Sequence, residues 1–172
     1  AKHYIDKIVD APARDLSGLL SDQINYWRFK NKINLIIKTA KFLKKKGIDP
    51  KRVLPSTVIP LIEDASSVDD ELLSDMFAGL LASHAGAQGD GVIHPSYSKI
   101  LSQLSPLDAR VIHHLYVGIS QAGSAHNSKM FELEKAAKSF NTSSEEMRHV
   151  FENLFRLGIC DRGPDTLDHL NR

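Results

Sequence analysis

The sequence predicts an all-α fold, a multi-helix bundle, and three observations favour it. Between Ser66 and Ala85, apolar residues recur at three- and four-residue steps, which places them on one side of a helix. Residues 12–46 keep a helical pattern almost without interruption. Helix starts later in the chain carry residue types that cap a helix, such as Ser105 before Pro106.

The composition limits the class of protein. With 172 residues, the chain can bury one core or form two small subdomains. Its single cysteine, Cys160, excludes an internal disulfide and fits a reducing compartment. No apolar run approaches the ~20 residues needed to cross a bilayer, and no signal peptide is visible. We therefore expect a cytoplasmic protein with no membrane segment in this stretch.

Charge is distributed unevenly along the chain. Residues 1–60 carry 13 Lys and Arg against 5 Asp and Glu, whereas residues 61–172 carry 9 against 16. Two interpretations follow from this asymmetry. The two halves complement each other within the fold or between protomers, or the basic half faces an anionic partner such as nucleic acid or a lipid surface. We favour the first interpretation, because charged faces are most often simply solvated.

The first long helix is predicted from Pro12 to about Lys46. Pro12 suits the first helical turn, where its missing N–H is not needed, and Gly47 suits the position just past the end. The run Lys44–Lys46 lies where the helix dipole favours cations, which explains these lysines without a nucleic-acid contact.

This long helix is apolar on two sides. The wider side contains Tyr26, Phe29, Ile33, Ile36, Ile37, Ala40 and Leu43, and the narrower side contains Ile24, Trp27, Leu35 and Phe42. A helix that is apolar on two sides is usually packed between neighbours, so we expect both sides to be buried. The alternative is that one of the two stripes is a groove for a partner.

Three further helices follow in the first part of the chain. They are predicted over residues 53–65, over the central stretch 66–85 and from Pro95 to Leu104. At the start of the central helix, Ser67 and Asp70 have the spacing that satisfies unpaired N–H groups, and Phe77 lies on the apolar side. We expect the other helices to pack against this side.

The final third has the order of elements found in a winged helix-turn-helix. Helices are predicted over residues 106–118, 130–140 and 143–157, with capping signals at Ser105 and Ser143, and an extended segment over 159–163. We therefore expect a helical domain over 1–104, a winged-helix-like subdomain over 105–163 and a tail over 164–172.

Charge argues against DNA binding by this subdomain. Its last helix presents three glutamates beside two arginines: Glu145, Glu146, Glu152, Arg148 and Arg156. Phosphate neutralisation supplies most of the affinity in such complexes, so a protein contact suits this surface better.

Residues that could carry chemistry do not form a recognisable set. His113 and His114 are adjacent on a helix, so their side chains diverge instead of sharing a metal ion. Cys160 lacks the basic surroundings that favour a reactive thiolate. No nucleophile elbow or zinc motif is present. We expect a non-enzymatic protein without a metal or a cofactor.

Several stretches together resemble the bacterial abortive infection alpha family. They are Leu19-Leu20-Ser21-Asp22, Tyr26-Trp27-Arg28-Phe29-Lys30-Asn31, Gly47-Ile48-Asp49-Pro50, Leu80-Leu81-Ala82, His94-Pro95-Ser96 and Leu104-Ser105-Pro106-Leu107-Asp108-Ala109. The resemblance implies a bacterial or phage-related cytoplasmic protein connected with defence against phage. It supplies no catalytic residues.

The candidate binding residues are Trp27, Arg28, Lys30 and Asn31, because Trp and Arg are the types that anchor interfaces. The alternative is that Arg28 and Asn31 bridge neighbouring helices. Our leading hypothesis is a helical module of a phage-defence protein that binds a protein partner or forms a homo-oligomer. The second hypothesis is nucleic-acid binding by the basic N-terminal half.

Overall fold

The computed structural model describes residues 13–51, 53–86, 94, 96–122 and 133–161, with side chains from residue 22 onward except 118–122. This part of the chain contains seven helices: α1 (Ala13–Lys46), α2 (Pro55–Ser66), α3 (Glu71–Gly86), α4 (Ser96–Ser102), α5 (Pro106–Ala122), α6 (Leu133–Ser139) and α7 (Ser144–Arg156). It contains no strand, so the predicted all-α class is confirmed for these residues.

The chain divides into two compact units. Unit 1 comprises Ala1–Ser102 and unit 2 comprises Gln103–Arg172. In unit 1, α1 packs against α2 and α3, and α4 packs against the same two helices. In unit 2, α7 packs against α5 and α6.

The core of unit 1 is centred on Phe77, which is fully buried. Its main cluster combines residues of α1, α2 and α3: Leu35, Leu61, Ala65, Phe77, Ala78 and Leu81. A second cluster joins the last turns of α1 and α3 and contains Leu43, Ala82 and Ala85. The predicted central role of the apolar side around Phe77 is therefore confirmed.

The end of α1 follows the predicted cap. Gly47 has a φ of +64°, a left-handed conformation that glycine adopts without a Cβ penalty. The N–H of Gly47 donates to the carbonyl of Lys44 at 3.1 Å, and the N–H of Ile48 donates to that of Leu43 at 3.0 Å. These two bonds satisfy carbonyls that the helix itself leaves unpaired.

The connection after α1 is held against the end of α3. The N–H of Lys51 donates to the carbonyl of Ala85 at 2.7 Å. A Cβ added at Gly86 would lie 2.9 Å from Cγ2 of Ile48, closer than such atoms approach. The backbone at residue 86 therefore packs directly on the Ile48 side chain.

The predicted start of α3 was wrong by several residues. The helix begins at Glu71, and the carboxylate of Asp70 accepts a hydrogen bond from the N–H of Leu73 at 2.9 Å. Ser67 instead ends α2, because its N–H bonds to the carbonyl of Asp64. Asp70 is thus the cap, as the preference for Asp at this position allows.

Unit 2 shows the two helix caps that were predicted at Ser105 and Ser143. At α5, the N–H of Asp108 donates to Ser105 Oγ at 3.1 Å, and the N–H of Ser105 donates to Asp108 Oδ2 at 2.8 Å. At α7, the N–H of Glu146 donates to Ser143 Oγ at 3.0 Å. The carboxylate of Glu146 accepts from the hydroxyl of Thr142, so the second bond of this cap differs from the predicted one.

A winged-helix-like subdomain is not confirmed. The predicted extended segment begins at Ile159, but Ile159 and Cys160 form a bend in place of a strand. Residues 162–163 and the predicted tail 164–172 lie outside the described residues. Within the described part, no helix combines the length and the apolar character needed to cross a membrane.

We expect Phe77→Ala to lower the free energy of unfolding by about 3–5 kcal/mol, because it leaves a cavity among three helices. Urea unfolding followed by the fluorescence of Trp27, the single tryptophan, measures this in unit 1. The matched control is Ile59→Ala in α2, whose side chain is 59% exposed, with an expected loss below about 1 kcal/mol. Equal losses for the two variants would contradict the assignment of the core.

Candidate interaction surface

The two apolar sides of α1 have different environments. Leu35 on the narrower side is buried in the core of unit 1, and Phe42 packs beside it. Most of the wider side is exposed: its large members other than Leu43 are 46–72% accessible, whereas Leu43 is buried. The prediction that both sides are buried was therefore wrong. We call this exposed surface the outer face: Tyr26, Phe29, Ile33, Ile36, Ile37 and Ala40.

The outer face is a continuous stripe. Tyr26, Phe29, Ile33, Ile36 and Ala40 alternate three- and four-residue steps, the spacing of a seam between paired helices. At 1.5 Å per residue, the stripe is about 21 Å long. Because α1 is one helix throughout, the backbone holds these side chains in line.

Arg28 and Asn31 point away from the outer face and join α1 to α2. Arg28 Nε donates to Ser66 Oγ at 3.0 Å, and its Nη2 donates to Glu63 Oε2 at 2.9 Å. Asn31 Nδ2 donates to the carbonyls of Ser66 at 3.0 Å and Val68 at 2.9 Å. The Asn31 bonds pair the backbone carbonyls of the last residue of α2 and of a residue just past it. Arg28 and Asn31 thus have the bridging role considered as the alternative.

The other two candidate residues lie differently. Lys30 is exposed at the edge of the outer face, and Trp27 is half-buried. The structure therefore separates the four candidates, with two engaged between helices and Lys30 available to solvent. Their role in binding stays a prediction.

Charge complementarity operates inside unit 1. Lys38 Nζ lies 2.8 Å from Glu71 Oε1 and 2.8 Å from Asp75 Oδ1. Burial opposes the charge of Lys38, but the hydrogen bonds to Asp75 and Glu71 outweigh it and raise its pKa. Glu63 has its pKa lowered chiefly by a hydrogen bond from Lys32, with a further contribution from the charge of Arg28. Basic α1 is thus matched by acids of α2 and α3.

Lysines near the outer face lack such partners. Among the described residues, no ion pair involves Lys30, Lys41, Lys44, Lys45 or Lys46. The cations that face α2 and α3 are therefore neutralised within the unit. Those that flank the outer face or follow it along α1 are left for solvent or another molecule.

Burial shifts the pKa of two groups outside the contacts described above. Burial and the neighbouring carboxylate of Asp161 raise the pKa of the Cys160 thiol. Burial lowers the pKa of His84. In the described residues, no three His, Cys, Asp or Glu side chains are grouped to hold a metal ion.

A groove in unit 2 collects several of the remaining polar side chains. It has a volume of about 460 Å³ and is lined in part by Asp108, Glu146 and His149. Asp108 is buried and accepts from Asn153 Nδ2 at 2.9 Å in addition to its cap. Its carboxylate therefore fixes the start of α5 against α7.

Comparison with known proteins adds one assignment. The sequence profile described as abortive infection alpha matches residues 23–172, nearly the whole chain. The chain belongs to the abortive infection alpha family. No curated protein and no solved structure gives a significant match. The resemblance seen in the sequence motifs is thus confirmed, and the outer face lies within the matched range of this family member.

For this abortive infection alpha protein, sequence reasoning named a partner groove on one of the two apolar stripes of α1 only as an alternative, and it did not say which stripe. The alternating spacing of Tyr26, Phe29, Ile33, Ile36 and Ala40 was the available signal. The same spacing also describes a buried stripe, so only the structure distinguishes the two.

We expect Asn31→Ala to lower the free energy of unfolding by about 1–3 kcal/mol, because two carbonyls at the end of α2 lose their donor. Urea unfolding of the variant and wild type measures the difference. Asn34→Ala, on the exposed side of the same helix, is the matched control, with a change within about 0.5 kcal/mol. No difference between the two variants would show that the bridge contributes nothing to stability.

Proposed function

We propose that this protein is a non-enzymatic helical module of bacterial abortive infection, located in the cytoplasm, that acts through protein contacts or self-association made by the outer face. The observation that carries the proposal is the exposure of the wider apolar side of α1. Family membership supports the connection with phage defence.

The size of the outer face supports a binding role. Tyr26 is 72% and Phe29 is 61% exposed. Since an aromatic side chain offers roughly 150–250 Å², these two rings alone expose about 250 Å². Three isoleucines extend the same stripe. The largest apolar patch on a typical monomer is about 300–600 Å² and is often functional, so a stripe of this size is a candidate interaction site.

The non-enzymatic part of the proposal rests on the groups that could react. A raised thiol pKa at Cys160 disfavours the nucleophilic thiolate at neutral pH. The carboxylate of Asp108 already accepts hydrogen bonds from the N–H of Ser105, as part of the helix cap, and from Asn153. A groove of about 450 Å³ in unit 1 has a mainly apolar lining that includes Phe42, Leu43 and Ile48.

For unit 2 we propose a winged-helix-like subdomain that makes protein contacts. The order of α5, α6 and α7 supports the helical part of this arrangement. The exposed residues of α7 include Glu145, Glu146 and Glu152. This acidic surface repels a phosphate backbone and favours a protein partner.

Nucleic-acid binding by α1 is a second candidate, favoured by the unpaired lysines at its C-terminal end. If it is correct, a labelled duplex or single strand binds the protein, and the affinity falls steeply between roughly 50 and 200 mM salt. The triple variant Lys44→Glu, Lys45→Glu, Lys46→Glu should abolish that binding. Absence of binding by the wild type at low salt rejects this candidate.

The outer-face proposal predicts that Ile33→Lys abolishes protection against phage. A charge in the middle of the stripe prevents apolar contact while leaving the core of unit 1 intact. Cells that carry the complete gene are challenged with a phage that the wild type restricts, and plaques are counted. We expect the plaque number to rise to that of cells lacking the gene.

The matched control for this assay is Ile59→Lys, an exposed isoleucine on α2 outside the outer face. It should restrict phage like the wild type, and circular dichroism should show both variants folded. Full restriction by a folded Ile33→Lys protein would contradict the proposed function.

A further inference from the structure

We propose that the outer face of α1 pairs antiparallel with the same face of a second copy of this chain. This inference rests on the proposed function, in which the outer face makes a protein contact, and it names the partner. It rests on three features of α1: the spacing of the apolar residues in the outer face, the sizes of their side chains and the positions of the charged residues.

The spacing of the outer face fits a two-helix seam. Alternating three- and four-residue steps place side chains where knobs of one helix enter holes of another. Consider an antiparallel pair whose two-fold axis passes between Ile33 and Ile36. Ile33 then lies opposite Ile36 of the second copy, and Phe29 lies opposite Ala40. A large ring meets a small side chain in each of these outer layers, which fills the seam evenly.

The charges agree with this register. Exposed lysines beside the seam lie opposite uncharged residues of the second copy: Lys30 beside Ile37 and Lys44 beside Gln23. Asp22, at the N-terminal end of the stripe, comes close to Lys46 of the second copy. Each dimer thus gains two contacts of opposite charge and places no two lysines face to face.

A parallel pair fits less well. It would place Phe29 against Phe29 and Ala40 against Ala40, so one layer is crowded and another leaves a void. It would also place the carboxylates of the two Asp22 residues against each other. Both sterics and charge therefore select the antiparallel arrangement.

The available area sets the expected affinity. From Asp22 to Lys46, α1 is about 36 Å long, and a helix about 10–12 Å wide gives a footprint of about 400 Å² per copy. This is below the roughly 800 Å² per partner of a tight interface. We therefore expect a dimer with a micromolar dissociation constant.

Disulfide trapping tests the register. In a Cys160→Ser background, two single variants are made, Phe29→Cys and Ala40→Cys, and mixed under mild oxidation. We expect a mixed disulfide dimer. Phe29→Cys alone should not cross-link, because its two copies lie about 16 Å apart along the antiparallel pair, beyond the reach of a disulfide. Self-linking of Phe29→Cys, or no cross-link in the mixture, overturns the proposal.

Light scattering coupled to size exclusion tests the dimer itself. The wild type should shift from monomer to dimer as its concentration rises to about 200 µM, well above a micromolar dissociation constant. Ile33→Lys should weaken the dimer about 100-fold or more, because two buried isoleucines are lost per dimer. Ile59→Lys should leave it unchanged. A wild type that stays monomeric, including one that instead binds anionic vesicles or an acidic peptide, overturns the proposal.

The two proposals fail in distinguishable ways. If the wild type is monomeric but Ile33→Lys abolishes phage protection, the outer face acts on another partner and only the self-pairing is wrong. If Ile33→Lys breaks an observed dimer and protection persists, the self-pairing stands and the proposed function is wrong.

Discussion

Burial of Phe77 among α1, α2 and α3 is the interaction on which the organisation of unit 1 depends. Leu35 must face this ring to complete the core, and a helix turns by about 100° per residue. The rotation of α1 about its axis is therefore fixed. Ile33 and Ile36 then project toward solvent, so the exposure of the outer face follows from the packing of the core.

Local chemistry predicted three helix caps correctly, although the helix predicted over residues 106–118 extends to Ala122. Gly47, Ser105 and Ser143 each act as a cap, because a cap depends on residues within one turn of itself. The predicted start of α3 was wrong because two residues that can cap a helix lie close together in the sequence. Spacing cannot choose between Ser67 and Asp70. The choice depends on where α2 ends, which involves contacts with a different helix.

The faces of α1 were harder to predict than its ends. Periodicity identifies apolar stripes but does not state which stripe meets a neighbour, since that depends on residues distant in sequence. Arg28 and Asn31 illustrate the same limit. Their types suit an interface, yet their partners, Ser66 and Glu63, lie 35 or more residues away and become visible only in the folded chain.

The close approach of Ile48 to Gly86 has an evolutionary consequence. A methyl group at residue 86 would collide with Ile48, so a larger residue there requires a smaller one at position 48. The two positions should therefore covary among relatives. Since the hydrogen bond from Lys51 to Ala85 depends only on the backbone, it can persist through such paired replacements and preserve the junction of α1 with α3.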